Sequence, residues 1–150
     1  MRAVHMGFIL RLLEQCKDLA LATVAPEGKP EVSTVNFAND GLTLYVATSR
    51  HSRKVRNLQH SPEAAVELHG EYEDWSQVKG LSISARAELL PDDSAEALRA
   101  RERLARKFIQ PWDSPSPQDP TSTVFLRIEP YRITILDYEH GYGHRETVAL

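Results

Sequence analysis

One segment of the chain concentrates side chains that suit an anionic ligand. Residues 48–57 begin with a threonine and carry hydroxyl groups at Ser49 and Ser52 and basic side chains at Arg53 and Lys54. The segment joins the end of a predicted strand to the start of a predicted helix, where free backbone N–H groups favour an anion. Lys and Arg add charge-assisted hydrogen bonds. The pattern favours a phosphate site, although a solvated basic helix that begins with serines has the same composition.

The spacing of apolar residues predicts the elements that position this segment. Ile9, Leu12, Leu13 and Cys16 form the stripe of an amphipathic N-terminal helix. The period then changes to two, which indicates strands. The predicted strands are residues 19–25, 31–37, 42–48, 64–68, 81–89 and 123–138. A short helix is expected within residues 49–60, because Ser61-Pro62 ends it.

Turn and cap residues place the remaining boundaries. Asn39-Asp40-Gly41 is a strong signal for a hairpin turn. Asp93, with Glu96 three residues later, resembles a capping box at the start of a third helix. A bend is expected at Pro130, since proline cannot donate to a central ladder. The proline-rich residues 111–120 and the tail 140–145 are predicted to be loops.

This element order predicts a mainly β fold of the α+β type. Antiparallel strands dominate, and they do not alternate with helices as a parallel sheet requires. The natural packing is a split antiparallel β-barrel of about six strands with peripheral helices. The length of 150 residues corresponds to a single domain over residues 1–150.

Composition excludes several classes of protein. The net charge of −3 gives no global attraction to nucleic acid, so a nucleic-acid partner is not expected. A lone cysteine cannot form an internal disulfide, and no targeting pattern or membrane span is visible, which predicts a cytoplasmic protein. The six histidines show no ligand spacing, so no metal site is predicted.

The chain resembles the pyridoxamine 5'-phosphate oxidase-like FMN-binding split barrels. The resemblance starts with Thr48-x-x-x-Ser52-Arg53-Lys54 and extends from about residue 19 to the end of the chain. Its other motifs are Gly28-x-Pro30, Asn57-Leu58 followed by Ser61-Pro62, Ala85-x-Ala87-Glu88-Leu89, Pro130-x-x-Ile133 and Gly143-His144-Arg145. Each motif is short, and their order and spacing together make the match fairly specific.

The resemblance implies a flavin site and an assembly. It implies that the flavin phosphate is held by the hydroxyl and basic residues Thr48, Ser49, Ser52, Arg53 and Lys54. It implies that Ser33, Thr34, Val35 and Asn36 face the isoalloxazine ring, and that Arg145 reaches a flavin across a homodimer interface. A flavin-dependent oxidoreductase acting on a small molecule is the expected function, with no catalytic residue identified.

Departures from the family pattern argue against vitamin B6 oxidation and leave alternatives open. The second strand reads Val32 to Phe37 where true oxidases carry Arg-x-x-Leu-Leu-Lys, and Gly141 to His144 replaces their Arg-Leu-His element. The alternatives are a deazaflavin-dependent reductase, a non-catalytic flavin carrier, and a β-barrel that binds nucleic acid through residues 50–56 and 99–107.

Overall fold

The computed structural model describes residues 1–108 and 122–150, which form eight strands, three α-helices and two short 3-10 helices. The helices are α1 (Ala3–Gln15), α2 (Arg53–His60) and α3 (Ala95–Lys107), with 3-10 turns at Trp75–Gln77 and Tyr138–His140. The strands are β1 (Asp18–Val24), β2 (Pro30–Asn36), β3 (Ala38–Asp40), β4 (Thr43–Ser49), β5 (Glu63–His69), β6 (Lys79–Leu89), β7 (Thr123–Asp137) and β8 (Arg145–Ala149).

All eight strands belong to one antiparallel sheet that curls into a split barrel. The strand order is β2-β1-β5-β6-β7-β4-β3, and β8 pairs with the second half of β7. The predicted fold class is therefore confirmed. The strands β3 and β8 were not expected, because three and five residues leave too little alternation to recognise.

The barrel interior is filled by the alternate residues of the strands and closed by two helices. In β1, for example, Leu19 and Leu21 point inward while their neighbours are exposed or half-buried. Helix α1 contributes its predicted stripe, and α2 contributes Leu58 to the same core. Burial of such side chains contributes about 1.5 to 3 kcal/mol each, so the alternation fixes which face of each strand points inward.

Helix α3 packs against the outside of the sheet and starts one residue later than predicted. Ser94 is the N-cap, because its Oγ accepts a hydrogen bond from the backbone N–H of Ala97, so the expectation for Asp93 is wrong. Glu96 does not close a capping box. Its carboxylate instead accepts hydrogen bonds from Tyr45 of β4 and Arg127 of β7, which fastens α3 to the sheet.

Three other boundaries differ from or refine the expectations. The hairpin turn lies at Gly41-Leu42, since Asp40 already pairs with Thr43; Gly41 takes the positive φ of 59°. The expected bend at Pro130 coincides with a shift in the β6–β7 register. The tail loop is shorter than predicted because β8 begins at Arg145. The predicted loop 111–120 lies outside the described residues.

Replacement of Gly80 by a residue with a side chain is expected to destabilise the fold, because the backbone of β5 approaches Gly80 closely. A methyl group at this position would lie 2.9 Å from the carbonyl oxygen of Leu68. We expect Gly80→Ala to lower the free energy of unfolding by about 1 to 3 kcal/mol in urea denaturation. Gly70→Ala is the control, because its methyl group would meet Leu12 at an ordinary 3.6 Å. Equal losses in the two variants would contradict the steric explanation.

Lys107 joins the ends of α3 and α1. Its Nζ donates hydrogen bonds to the carbonyl oxygens of Leu13 and Cys16 and lies 3.9 Å from the centroid of the Phe37 ring. Burial lowers the pKa of Lys107 to about 8, despite the opposing attraction of Cys16 and Asp18. The folded chain therefore releases this proton well before the unfolded chain, whose lysines titrate at about 10.4.

This difference in pKa predicts a specific pH dependence of stability. Between about pH 8 and 10 the unfolded state binds more protons at Lys107, so this position favours folding increasingly as pH rises. We expect the parent to gain stability relative to Lys107→Met between pH 7.5 and pH 9.5 in urea denaturation. The comparison with the variant cancels the titration of groups that do not interact with Lys107. A constant difference between the two proteins would show that Lys107 is solvated.

Candidate functional site

The end of β4 turns into α2 through a tight, hydrogen-bonded corner. Ser52 is the N-cap of α2, and its Oγ accepts from the backbone N–H of Val55. The backbone N–H of Ser52 donates to the carbonyl oxygen of Ser49, and the N–H of His51 donates to the Ser49 hydroxyl. Serine is favoured at an N-cap for this reason. The corner therefore places hydroxyl groups beside the first turn of the helix.

The two predicted phosphate cations have different partners at this corner. Lys54 is half-buried, and its Nζ donates to the Oγ1 of Thr48 at 3.3 Å. Arg53 is exposed, and its Nη1 lies 2.9 Å from Oε2 of Glu31 on β2. The structure thus brings Thr48, Lys54 and the serines together at the β4–α2 junction. Arg53 extends from there toward β2.

A buried polar network that the sequence analysis missed fixes α2 against β1 and β2. Asn57 is only 3% exposed, and its Nδ2 donates to the Thr23 hydroxyl at 3.0 Å and to Oε1 of Glu31 at 2.8 Å. Buried amides require such partners. The available signal was the alternation of β1, which places Thr23 on the inward face with Leu19 and Leu21.

Glu31 is held in its ionised form by this network. The hydrogen bond from Asn57, followed by the hydrogen bond and positive charge of Arg53, lowers the pKa of the Glu31 carboxyl. Arg56 adds a weaker attraction. A carboxylate therefore lies beside Arg53, one of the two predicted phosphate cations.

Strand β2 runs away from this network along one edge of the sheet. Its side chains alternate, so Ser33 and Val35 share the half-buried face with Glu31, whereas Thr34 and Asn36 are exposed on the other face. Among the described residues β2 pairs only with β1, which leaves its other backbone edge open. A single planar ring could therefore meet all four residues only along that backbone edge.

Arg145 and the phosphate corner lie toward opposite ends of β7 within one chain. It pairs with Leu136 near the end of β7, whereas Thr48 pairs with Val124 near the start. Positions 124 and 136 are 12 residues apart, or at most roughly 40 Å along an extended strand. The structure does not bring Arg145 together with the other predicted site residues.

The tail carries an exposed cluster of aromatic and imidazole rings. Tyr142 is 80% exposed between two glycines with positive φ, and its ring packs edge-on against Trp75 at 5.6 Å. Tyr138 lies 5.5 Å from Tyr142, and the rings of His140 and His144 lie 5.3 Å apart. We call these five residues the tail ring cluster.

Two concave surfaces of the described residues lie away from the phosphate corner. An open concavity of about 380 Å³ is lined by His69, Gly70, Glu71 and Tyr72. A second, of about 180 Å³, lies between α1 and the tail and includes His5, His140 and Glu146. Neither of these two concavities includes Thr48, Ser52, Arg53 or Lys54.

No helix in the described part of the chain has the length and apolar character needed to cross a membrane. The three α-helices have 13, 8 and 13 residues.

Comparison with known proteins finds one matching family model and a similar bacterial protein. The model of the family described as pyridoxamine 5'-phosphate oxidase matches residues 8–137, which is most of the chain. General stress protein 26 of Bacillus subtilis (strain 168) is 26% identical over 129 residues, covering 86% of each protein.

Solved structures share the fold at lower identity. The heme storage protein HutZ of Vibrio cholerae superposes with a TM-score of 0.72 at 20% identity, covering 95% of this chain and 92% of that one. A heme binding protein from Mycobacterium smegmatis gives a TM-score of 0.81 at 18% identity, covering 99% of this chain and 59% of that one. At these identities the likeness establishes the fold.

Proposed function

The chain belongs to the pyridoxamine 5'-phosphate oxidase family, and on that premise we propose that it binds FMN as a homodimer and acts as a flavin-dependent oxidoreductase on a small molecule. The observation that carries the proposal is the β4–α2 corner. There Thr48, Ser49, Ser52 and Lys54 present hydroxyl and ammonium groups at the start of a helix, with Arg53 beside them.

The donor set of the corner suits a terminal phosphate. A phosphate monoester is close to doubly charged at neutral pH and accepts several hydrogen bonds. The helix N-terminus contributes N–H groups and a positive dipole end. Arg53 and Lys54 supply two formal charges, and the serine and threonine hydroxyls supply uncharged donors. Riboflavin lacks the phosphate and would gain nothing from this arrangement.

The rest of an extended flavin would follow β2. Glu31 contacts the first helical turn through Arg53, and Asn36 lies five residues further along the strand, roughly 17 Å at about 3.3 Å per residue. The open backbone edge of residues 33–36 offers donors and acceptors for the polar side of the ring. All four residues, 33–36, would contact the ring through their backbone, and those on the face turned to the ring would also contact it through their side chains.

A second copy of the chain would complete the site. The corner is too open in one chain to cover most of a ligand of this size, and such ligands bind in concave sites that interfaces often supply. Arg145, remote within its own chain, would then reach the flavin of the other copy. A strictly monomeric protein that binds FMN tightly would contradict this part of the proposal.

The chemistry of electron transfer would come from the flavin, which exchanges hydride or single electrons with its substrates. The residues of this chain bind and orient the cofactor. No side chain is assigned the role of general acid or base.

Titration of the purified protein with FMN, riboflavin and a deazaflavin tests this proposal. We expect FMN to show perturbed absorption bands and saturable binding, and riboflavin to bind much more weakly. A free-flavin spectrum at high protein concentration would reject FMN, and selective binding of the deazaflavin would favour the deazaflavin-dependent alternative. Saturable FMN binding without turnover by any donor would favour a flavin carrier.

Heme is a second candidate ligand because of the tail ring cluster. Two imidazoles close together beside exposed aromatic rings suit an iron porphyrin, since neutral imidazole ligates heme iron and aromatic rings pack on the macrocycle. Proteins of this fold from Vibrio cholerae and Mycobacterium smegmatis are heme proteins. Hemin titration followed by its Soret band tests this, with His140→Ala combined with His144→Ala as the variant. Unchanged hemin binding in that variant would reject the cluster as the site.

A further inference from the structure

The carboxylate of Glu31 is unexpected beside a site built for an anion. It lies 2.9 Å from the Arg53 guanidinium and accepts a further hydrogen bond from buried Asn57. Its side chain is 30% exposed, whereas that of Arg53 is 77% exposed. Glu31 is therefore anchored in the fold, and Arg53 is the member of the pair that is free to move.

The Glu31 carboxylate is an anion of the protein itself that already binds Arg53. Its two oxygens are used by different donors, Oε1 by Asn57 and Oε2 by Arg53. The bond to Asn57 continues to Thr23, so this side of the carboxylate is fixed by β1 and α2. A phosphate arriving at the corner must share Arg53 with Glu31 or take Arg53 from it.

We propose that Glu31 limits the affinity of the phosphate corner by competing with the phosphate for Arg53, and that it does so more strongly for a doubly charged phosphate than for a singly charged one. This inference rests on the proposed function, because it assumes that a phosphate binds at the β4–α2 junction. It adds that the corner binds a phosphate dianion less tightly than its hydroxyl groups and cations alone would allow.

The charges around Glu31 make the effect measurable by pH. The groups that face it are Arg53 and Arg56 of α2, together with the uncharged Thr23 of β1 and Asn57. The lowered pKa keeps Glu31 ionised at pH 5, whereas a phosphate monoester changes from dianion to monoanion near pH 6. Repulsion between Glu31 and the ligand should therefore be larger at pH 7.5 than at pH 5.

The experiment is calorimetric titration of FMN into the full-length parent, Glu31→Gln and Glu31→Asp at both pH values. Glutamine keeps an oxygen for Asn57 and removes the charge. We expect Glu31→Gln to bind FMN about tenfold more tightly than the parent at pH 7.5 and about threefold more tightly at pH 5, the size of a unit charge removed nearby at the surface. Glu31→Asp, which keeps the charge, should gain less than Glu31→Gln at pH 7.5.

The control is Glu71→Gln, which removes the same charge from an exposed position after β5 and should leave FMN affinity unchanged. FMN affinity in Glu31→Gln that equals or falls below that of the parent would overturn the proposal, as would an equal gain at both pH values. A parent that shows no phosphate-dependent binding, with FMN and riboflavin alike, would instead reject the proposed function. The melting temperature of each variant without ligand verifies that the fold is intact.

Discussion

The double substitution Arg53→Ala with Lys54→Ala is expected to weaken FMN binding by about a hundredfold to ten-thousandfold. Each hydrogen bond to a charged group contributes roughly 1.5 to 3 kcal/mol, and each 1.4 kcal/mol is tenfold in affinity. Lys54 already lies on the Thr48 hydroxyl, and Arg53 is exposed beside it. Fluorescence titration with FMN measures the loss.

Two comparisons separate the phosphate anchor from a general effect of charge. Riboflavin should bind the parent weakly and respond little to the double substitution. Arg99→Ala with Arg101→Ala removes the same charge from exposed positions on α3 and should barely change FMN affinity. Arg103 is unsuitable for this control because it forms an ion pair with Asp40. Equal losses of FMN affinity in both double variants would show that the corner is not the anchor.

Phe37→Ala is expected to cause the largest loss of stability, about 3 to 5 kcal/mol of the free energy of unfolding. Phe37 is fully buried between β2 and β3, and its ring also receives the Lys107 ammonium group. Truncation removes a large apolar surface and leaves a cavity where the sheet edge turns. Urea denaturation measures the loss.

The control for Phe37→Ala is Leu98→Ala on α3, whose side chain is 58% exposed. Substitutions at such positions usually change stability by less than about 0.5 kcal/mol. A loss of less than about 1 kcal/mol for Phe37→Ala would mean that the core can collapse around the missing ring.

The elements with strong alternation were predictable because burial alone decides their faces. The strand from Leu81 to Leu89 extends only two residues further in the structure, and the stripe of α1 is buried as expected. The Ser52 cap follows from its position before a short helix. The N-cap of α3 was harder to place because Asp93 and Ser94 are both good capping residues, and only the backbone geometry chooses between them.

The part of the candidate site formed by residues close in sequence was predictable. Thr48 and Lys54 are close in sequence, so a strand–turn–helix brings them together. The contacts of Glu31 with Arg53 and Asn57 span 22 and 26 residues and depend on how α2 packs against β1 and β2. Hydrophobic periodicity and secondary-structure propensity do not indicate which residues distant in sequence contact each other in this way. The position of Arg145 likewise depends on β8, whose five residues are mostly exposed and show no alternation.

The attachments of α2 have a mechanical consequence for the whole barrel. Strands β2 and β4 lie near opposite ends of the strand order, and α2 is bonded to both, to β4 through Lys54 and to β2 through Arg53 and Asn57. Helix α2 thus connects β2 and β4 across the split of the barrel. If α2 detached, β2 and β4 would open together in one cooperative event. Amide hydrogen exchange in β2 and β4 should therefore slow together when a phosphate ligand stabilises the contacts of α2.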